Sequence, residues 1–147
     1  MREILFKGKR VDNEKWVEGY YTECNGKTFI GINISIYGDI FDIFCTPVIR
    51  WFKVDPKTLC QFTGLCDKNG KKIWENDILM AHLDESYQED ATYETVEWNV
   101  AGWVAHETGS TDREYLDEFD FEHFEVVGNI FDNKELLQEE HKRAVQA

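Results

Sequence analysis

Two Asn-Gly dipeptides, Asn25-Gly26 and Asn69-Gly70, constrain this chain more than any other feature. Asn and Gly reach positive φ at low cost, so each pair reads as the tip of a hairpin between two strands. Before the first tip, Trp16, Val17, Tyr20 and Tyr21 make a β-type segment around Gly19. After it, Ile30, Ile32, Ile34 and Ile36 alternate with Gly31, Asn33 and Ser35. A period of two places the four isoleucines on one face. Tyr37-Gly38-Asp39 turns the chain, and Phe41, Ile43 and Phe44 open a further strand.

Asp55-Pro56 reads as a boundary, because proline holds the preceding residue extended. Beyond it, strands are expected over Ile78 to Leu83, around Thr92 to Trp98, at Trp103-Val104-Ala105 and at Val126-Val127. Asp132 and Glu135 have the spacing of a capping box, so a short helix is expected from near Asp132. The predicted fold is mostly β. It has a β-rich lobe over 1–55, a small β domain over 56–131, and a C-terminal helix and tail over 132–147. Aromatic residues, 14% of the chain, suit strands and large buried contacts.

Charge is unevenly placed. Residues 1–75 hold 12 Lys and Arg against 10 Asp and Glu; residues 76–147 hold 4 against 19, giving −13 overall. Non-specific nucleic-acid binding depends on cations neutralising phosphates, so no direct nucleic-acid partner is expected. The first ten residues carry no apolar run like that of a secretory signal. The stretch from Ile30 to Ile49 is broken by Asn33, Gly38, Asp39 and Asp42, too polar for a bilayer. A cytoplasmic protein without membrane contact is expected. The four cysteines, Cys24, Cys45, Cys60 and Cys66, lack the spacing of a zinc knuckle and read as reduced thiols.

The segment Gln61-Phe62-Thr63-Gly64-Leu65, followed by Asp67-Lys68-Asn69-Gly70-Lys71 and Glu75-Asn76-Asp77-Ile78, resembles the YopX family of phage and prophage proteins. Two flanking stretches agree. One runs from Arg2-Glu3-Ile4 and Phe6-Lys7-Gly8-Lys9 to Trp16-Val17 and Gly19-Tyr20-Tyr21. The other is Glu125-Val126-Val127-Gly128-Asn129-Ile130-Phe131-Asp132-Asn133 with Glu135-Leu136-Leu137. The sequence departs from the pattern at Cys60, where glycine is usual, at Lys7, where arginine is common, and at Lys134, which replaces a frequent proline. The resemblance implies a C-terminal small barrel of the Src-homology kind, an N-terminal β-rich part, and a phage or prophage origin. It implies no particular activity. The central segment also has a purely structural reading: Gly70 supplies positive φ, Ile73 and Ile78 are buried, and Asp77 bonds backbone amides.

No catalytic constellation emerges. His82, His106, His123 and His141 stand in no nucleophile or metal-helix motif. His123 within the acidic stretch 120–125 reads more simply as an exposed segment than as a metal ligand, and neither metal nor cofactor is expected. The better class is binding. An aromatic face beside a cation suits a nucleotide, whose base stacks and whose phosphate pairs. The candidates are Lys7, Arg10, Arg50 and Lys53 for phosphates, with Trp16, Tyr21 and Trp51 for stacking. The alternative use of these residues is an ordinary core with solvated strand ends. On the first reading the chain is a non-enzymatic phage accessory protein sequestering a small anionic ligand, such as a nucleotide immune signal of the host.

A second expectation comes from the acidic half. Asp84, Glu85, Glu89 and Asp90 form one cluster; Asp112, Glu114, Asp117, Glu118, Asp120, Glu122 and Glu125 form another. Carboxylates along one face could imitate DNA towards a basic host protein, anchored by Tyr115, Phe119, Phe121 and Phe124. Self-association is also expected, through the apolar ribbon from Ile30 to Phe44.

Overall fold

The computed structural model describes residues 3–35, 47–82, 91–116 and 123–137. The chain forms two compact units, Met1–Gln61 and Phe62–Ala147.

The first unit is an antiparallel run of β1 (Phe6–Lys9), β2 (Trp16–Cys24), β3 (Lys27–Asn33) and β4 (Ile49–Val54). Asn25 and Gly26 both take positive φ, 53° and 74°, as the hairpin reading requires. A single 3₁₀ turn, Pro56–Thr58, follows, capped by the Asp55 side chain on the Lys57 N–H. Cys60 and Gln61, the first residues of β5 (Cys60–Cys66), then pair with Lys7 and Phe6.

β2 serves two partners. Its first half pairs with β1 (Gly8 opposite Val17, Phe6 opposite Gly19), and its second half with β3 (Tyr20 opposite Gly31 onwards). Gly19 lies at the change. A Cβ there would land on the carbonyl oxygen of Gly31, so the corner needs a residue without one. The bend folds the β1–β2 hairpin over the rest. Gly8 then faces Val54 of β4, and Arg10 bridges to Val54. The space enclosed holds Val17, Ile30 and Val54, with Phe6, Tyr21, Ile32, Phe52 and Leu59 packed around them. Each fully buried aliphatic contributes at most about 1.5–3 kcal/mol.

The isoleucine alternation is realised only in part. β3 ends at Asn33, whose side chain accepts the Ser35 N–H and turns the chain. Ile30 and Ile32 face the core, whereas Ile34 is half exposed beyond the strand. Ile36 and the rest of the ribbon to Phe44 lie outside the described residues.

In the second unit, β6 (Lys72–Trp74) returns against β5 through the Asn69-Gly70 turn, with Gly70 at φ 79°. Then come β7 (Asp77–His82), β8 (Ala91–Asn99), β9 (Gly102–Glu107), β10 (Glu114–Tyr115) and β11 (Phe124–Asn129), in the order β10-β9-β8-β7-β11. Among the described residues the two edges of this sheet do not pair with each other, so it is an open antiparallel sheet and not a closed barrel. Its core is Ile73, Leu79, Val96, Trp103 and Val126.

The family segment acts here as structure. Buried Asp67 accepts the N–H groups of Asn69 and Lys71 on one oxygen, each at 2.9 Å, and that of Val126 on the other at 3.0 Å. Burial works to raise its pKa. The amides of Val126, Lys71 and Asn69, with the Lys71 charge, outweigh burial and hold it below the ordinary carboxylate value. Buried Asp77 accepts the Trp74 N–H at 2.8 Å. The Thr63 hydroxyl donates to the Ile73 carbonyl and accepts the Leu65 N–H.

The C-terminal helix starts later than the capping-box reading places it, covering 134–137 of the described residues. Asn133 stands at the cap. Asn129 organises the approach by accepting the Phe131 and Asp132 N–H groups and bonding the Asp132 carboxylate. These side-chain bonds hold Asp132 in the turn and leave the start to Asn133.

Candidate functional site

All seven ligand candidates fall in the first unit, yet the fold divides them among three places. In an antiparallel sheet directly opposed residues share a face. Ile30 opposes Phe52 and Ile32 opposes Arg50, so Arg50 and Phe52 share the face of the core. Gly31 opposes Trp51 and Phe29 opposes Lys53, which puts Trp51 and Lys53 on the outside. Lys7 and Trp16 occupy the outer surface of the folded-over β1–β2 hairpin.

The first place is built on Trp16. The Lys7 and Lys9 ammonium groups lie 4.6 and 5.4 Å from its ring centroid. Both come from β1, and Lys9 directly opposes Trp16. The second is a shallow groove of about 470 Å³ lined by Thr22, Glu23, Cys24, Phe29 and Trp51. Trp51 is 45% exposed and lies across Gly31, where a Cβ would come within 2.6 Å of its ring. Tyr20, 52% exposed, stands on the same face.

The third place gathers arginines. The guanidinium carbons of Arg10 and Arg50 sit 4.4 and 4.9 Å from the centroid of the Phe52 ring. Two like charges within about 10 Å repel by roughly 0.5 kcal/mol in water, and by about 2 kcal/mol at the effective dielectric of a protein surface. Asp12 neutralises one of them, bound by Arg10 through Nε at 2.9 Å and Nη2 at 2.5 Å. The Arg10 hydrogen bond holds the Asp12 carboxyl below the usual carboxylate range. Among the described residues no carboxylate pairs with Arg50. Tyr21 shares this face but its ring packs on Phe6, centroids 5.1 Å apart. Its hydroxyl is engaged by Glu23: that hydrogen bond, then burial, then the Glu23 charge raise its pKa.

A single pocket of four cations and three stacking rings is therefore not formed. Phe52 and Lys9, absent from the expected set, are central to two of the three places. Alternation along Arg50-Trp51-Phe52-Lys53 could have paired Arg50 with Phe52 and set Trp51 apart.

Among the described residues of the second unit, one charged cluster stands out. Glu97 lies 2.6 Å from Arg113 Nε and 3.2 Å from His106 Nε2. Arg113 also donates to the Ser110 carbonyl and pins the loop before β10. Of the expected acidic face, residues 84, 85, 89, 90, 117, 118, 120 and 122 and the anchors Phe119 and Phe121 lie outside the described residues. Among the described residues no group of three potential ligands could hold a metal ion, and no helix is long and apolar enough to cross a membrane. Cys24, Cys60 and Cys66 are free thiols.

A family model described as "YopX protein" matches residues 5–138. The crystal structure of protein EF1440 from Enterococcus faecalis is similar in fold, with a TM-score of 0.56 at 20% identity, over 93% of this chain and 99% of that one. No curated protein matches the sequence.

Proposed function

This chain belongs to the YopX family, and we propose that it is a non-enzymatic phage accessory protein that binds a small anionic ligand of the nucleotide type at Arg10, Phe52 and Arg50. The observation that carries this reading is the convergence of two guanidinium groups on one ring, with Asp12 the only carboxylate that pairs with either among the described residues. A phosphate placed between the arginines relieves their repulsion and accepts planar, charge-assisted hydrogen bonds from Arg50. In a phage-infected cell such binding would sequester a nucleotide immune signal.

Calorimetry against cyclic dinucleotides and ADP-ribose-type signals tests the proposal. A ligand should bind, and Arg50→Ala should weaken it about tenfold or more, equivalent to about 1.4 kcal/mol. The melting temperature should stay near that of the wild type, because Arg50 is exposed. No heat with any of these ligands, or affinity untouched by Arg50→Ala, rejects the reading.

A further inference from the structure

Among the described residues the edge of β4 is open over a short stretch. In an antiparallel pair, alternate residues turn their backbone groups towards the neighbouring strand and away from it. The Ile34 N–H donates to the Val48 carbonyl, which assigns the even-numbered residues of this strand to β3. The odd-numbered residues face outward. Two of them are met there: the Val11 N–H donates to the Lys53 carbonyl, and the Asp55 N–H donates to the Lys9 carbonyl. No described residue meets Ile49 or Trp51. Pro47 brings no N–H to the next outward position, so the open ladder ends at Ile49.

Both faces beside this stretch carry the same chemistry. Arg50 and Phe52 stand on one, and Trp51 and Lys53 on the other, next to the groove of Thr22, Cys24 and Phe29. A strand added along an edge sends alternate side chains to opposite faces. The division that breaks up a single ligand pocket is the arrangement such a strand requires. Arg50 and Lys53 on this strand make a second copy of the same cationic edge a poor occupant. We propose that the β4 edge at Ile49 and Trp51 is a strand-addition site for an extended acidic peptide of a partner protein. Successive carboxylates fall beside Arg50 on one face and Lys53 on the other, and an apolar side chain enters the groove against Trp51. This goes beyond the nucleotide reading and does not depend on it.

Fluorescence anisotropy on the full chain tests it, with a labelled nonapeptide of Glu and Val and a counterpart bearing Lys for Glu. The acidic peptide should bind about tenfold tighter or more. Ile49→Pro removes one outward N–H, leaves every cation and aromatic in place, and should weaken binding about tenfold. Amide exchange on the wild type should show the Ile49 and Trp51 N–H groups slowed by the peptide. Equal affinity for both peptides, Ile49→Pro without effect, or unprotected amides overturns the proposal. Should Ile49→Pro fail to fold, the amide protection decides. Nucleotide titrations leave this outcome untouched, so the two proposals stand or fall separately.

Discussion

Asp67→Ala is expected to lower the unfolding free energy by about 4 kcal/mol, because it leaves three amide groups without their acceptor at a buried site. Urea denaturation reads this as a fall in midpoint. Asp67→Asn should recover only part of the loss, since one amide oxygen cannot serve donors on both sides and the new NH₂ opposes one of them. The pH dependence has a definite sign. A carboxyl whose folded pKa is depressed contributes stability that is complete above its unfolded value of about 3.9. That contribution disappears as pH falls through the lower folded value. Wild type should therefore lose urea resistance in this acid window, and Asp67→Asn should lose less. A variant as stable as wild type at neutral pH would contradict the role given to Asp67.

Gly19→Ala is expected to cost about 3 kcal/mol, although it adds one methyl group, because the obstacle is a backbone carbonyl that no rotamer change can move. Gly26→Ala is the comparison. Its Cβ meets open space, and the cost is the positive φ alone, about 1 kcal/mol. Thermal melts of the two variants should separate clearly. Equal shifts would mean that β2 passes the corner without help from glycine.

Both Asn-Gly turns and several strands were legible in the sequence because their signals are local, but β4, which carries Arg50 and Phe52, was not among the expected strands. Asn25-Gly26 and Gly70 announced their φ angles, and the period-two run placed Ile30 and Ile32 on one face, which the fold turns to the core and not to a partner. The end of β3 was not legible, because an asparagine side chain at position 33 competes with the ladder for the backbone. The candidate site was half legible. Cations and aromatics do crowd the first unit, but which of them meet depends on a bend at Gly19 and a bridge from Arg10 to Val54, both non-local. Phe52 went unnoticed because a phenylalanine between two exposed neighbours reads as core. It is indeed packed against the core while also carrying two guanidinium groups.

The separation into two units also orders events during synthesis. Every partner that the strands of the first unit need has been made once Gln61 leaves the ribosome. The second unit must wait. The Asp67 carboxylate meets Val126 only after 59 more residues, roughly 3–12 s at ordinary translation rates. Through that interval the carboxylate keeps its water, and the β5–β6 hairpin cannot bury it. The nascent chain thus carries a finished first unit ahead of an unfinished second one, and β11, the last of the described strands, completes the second sheet.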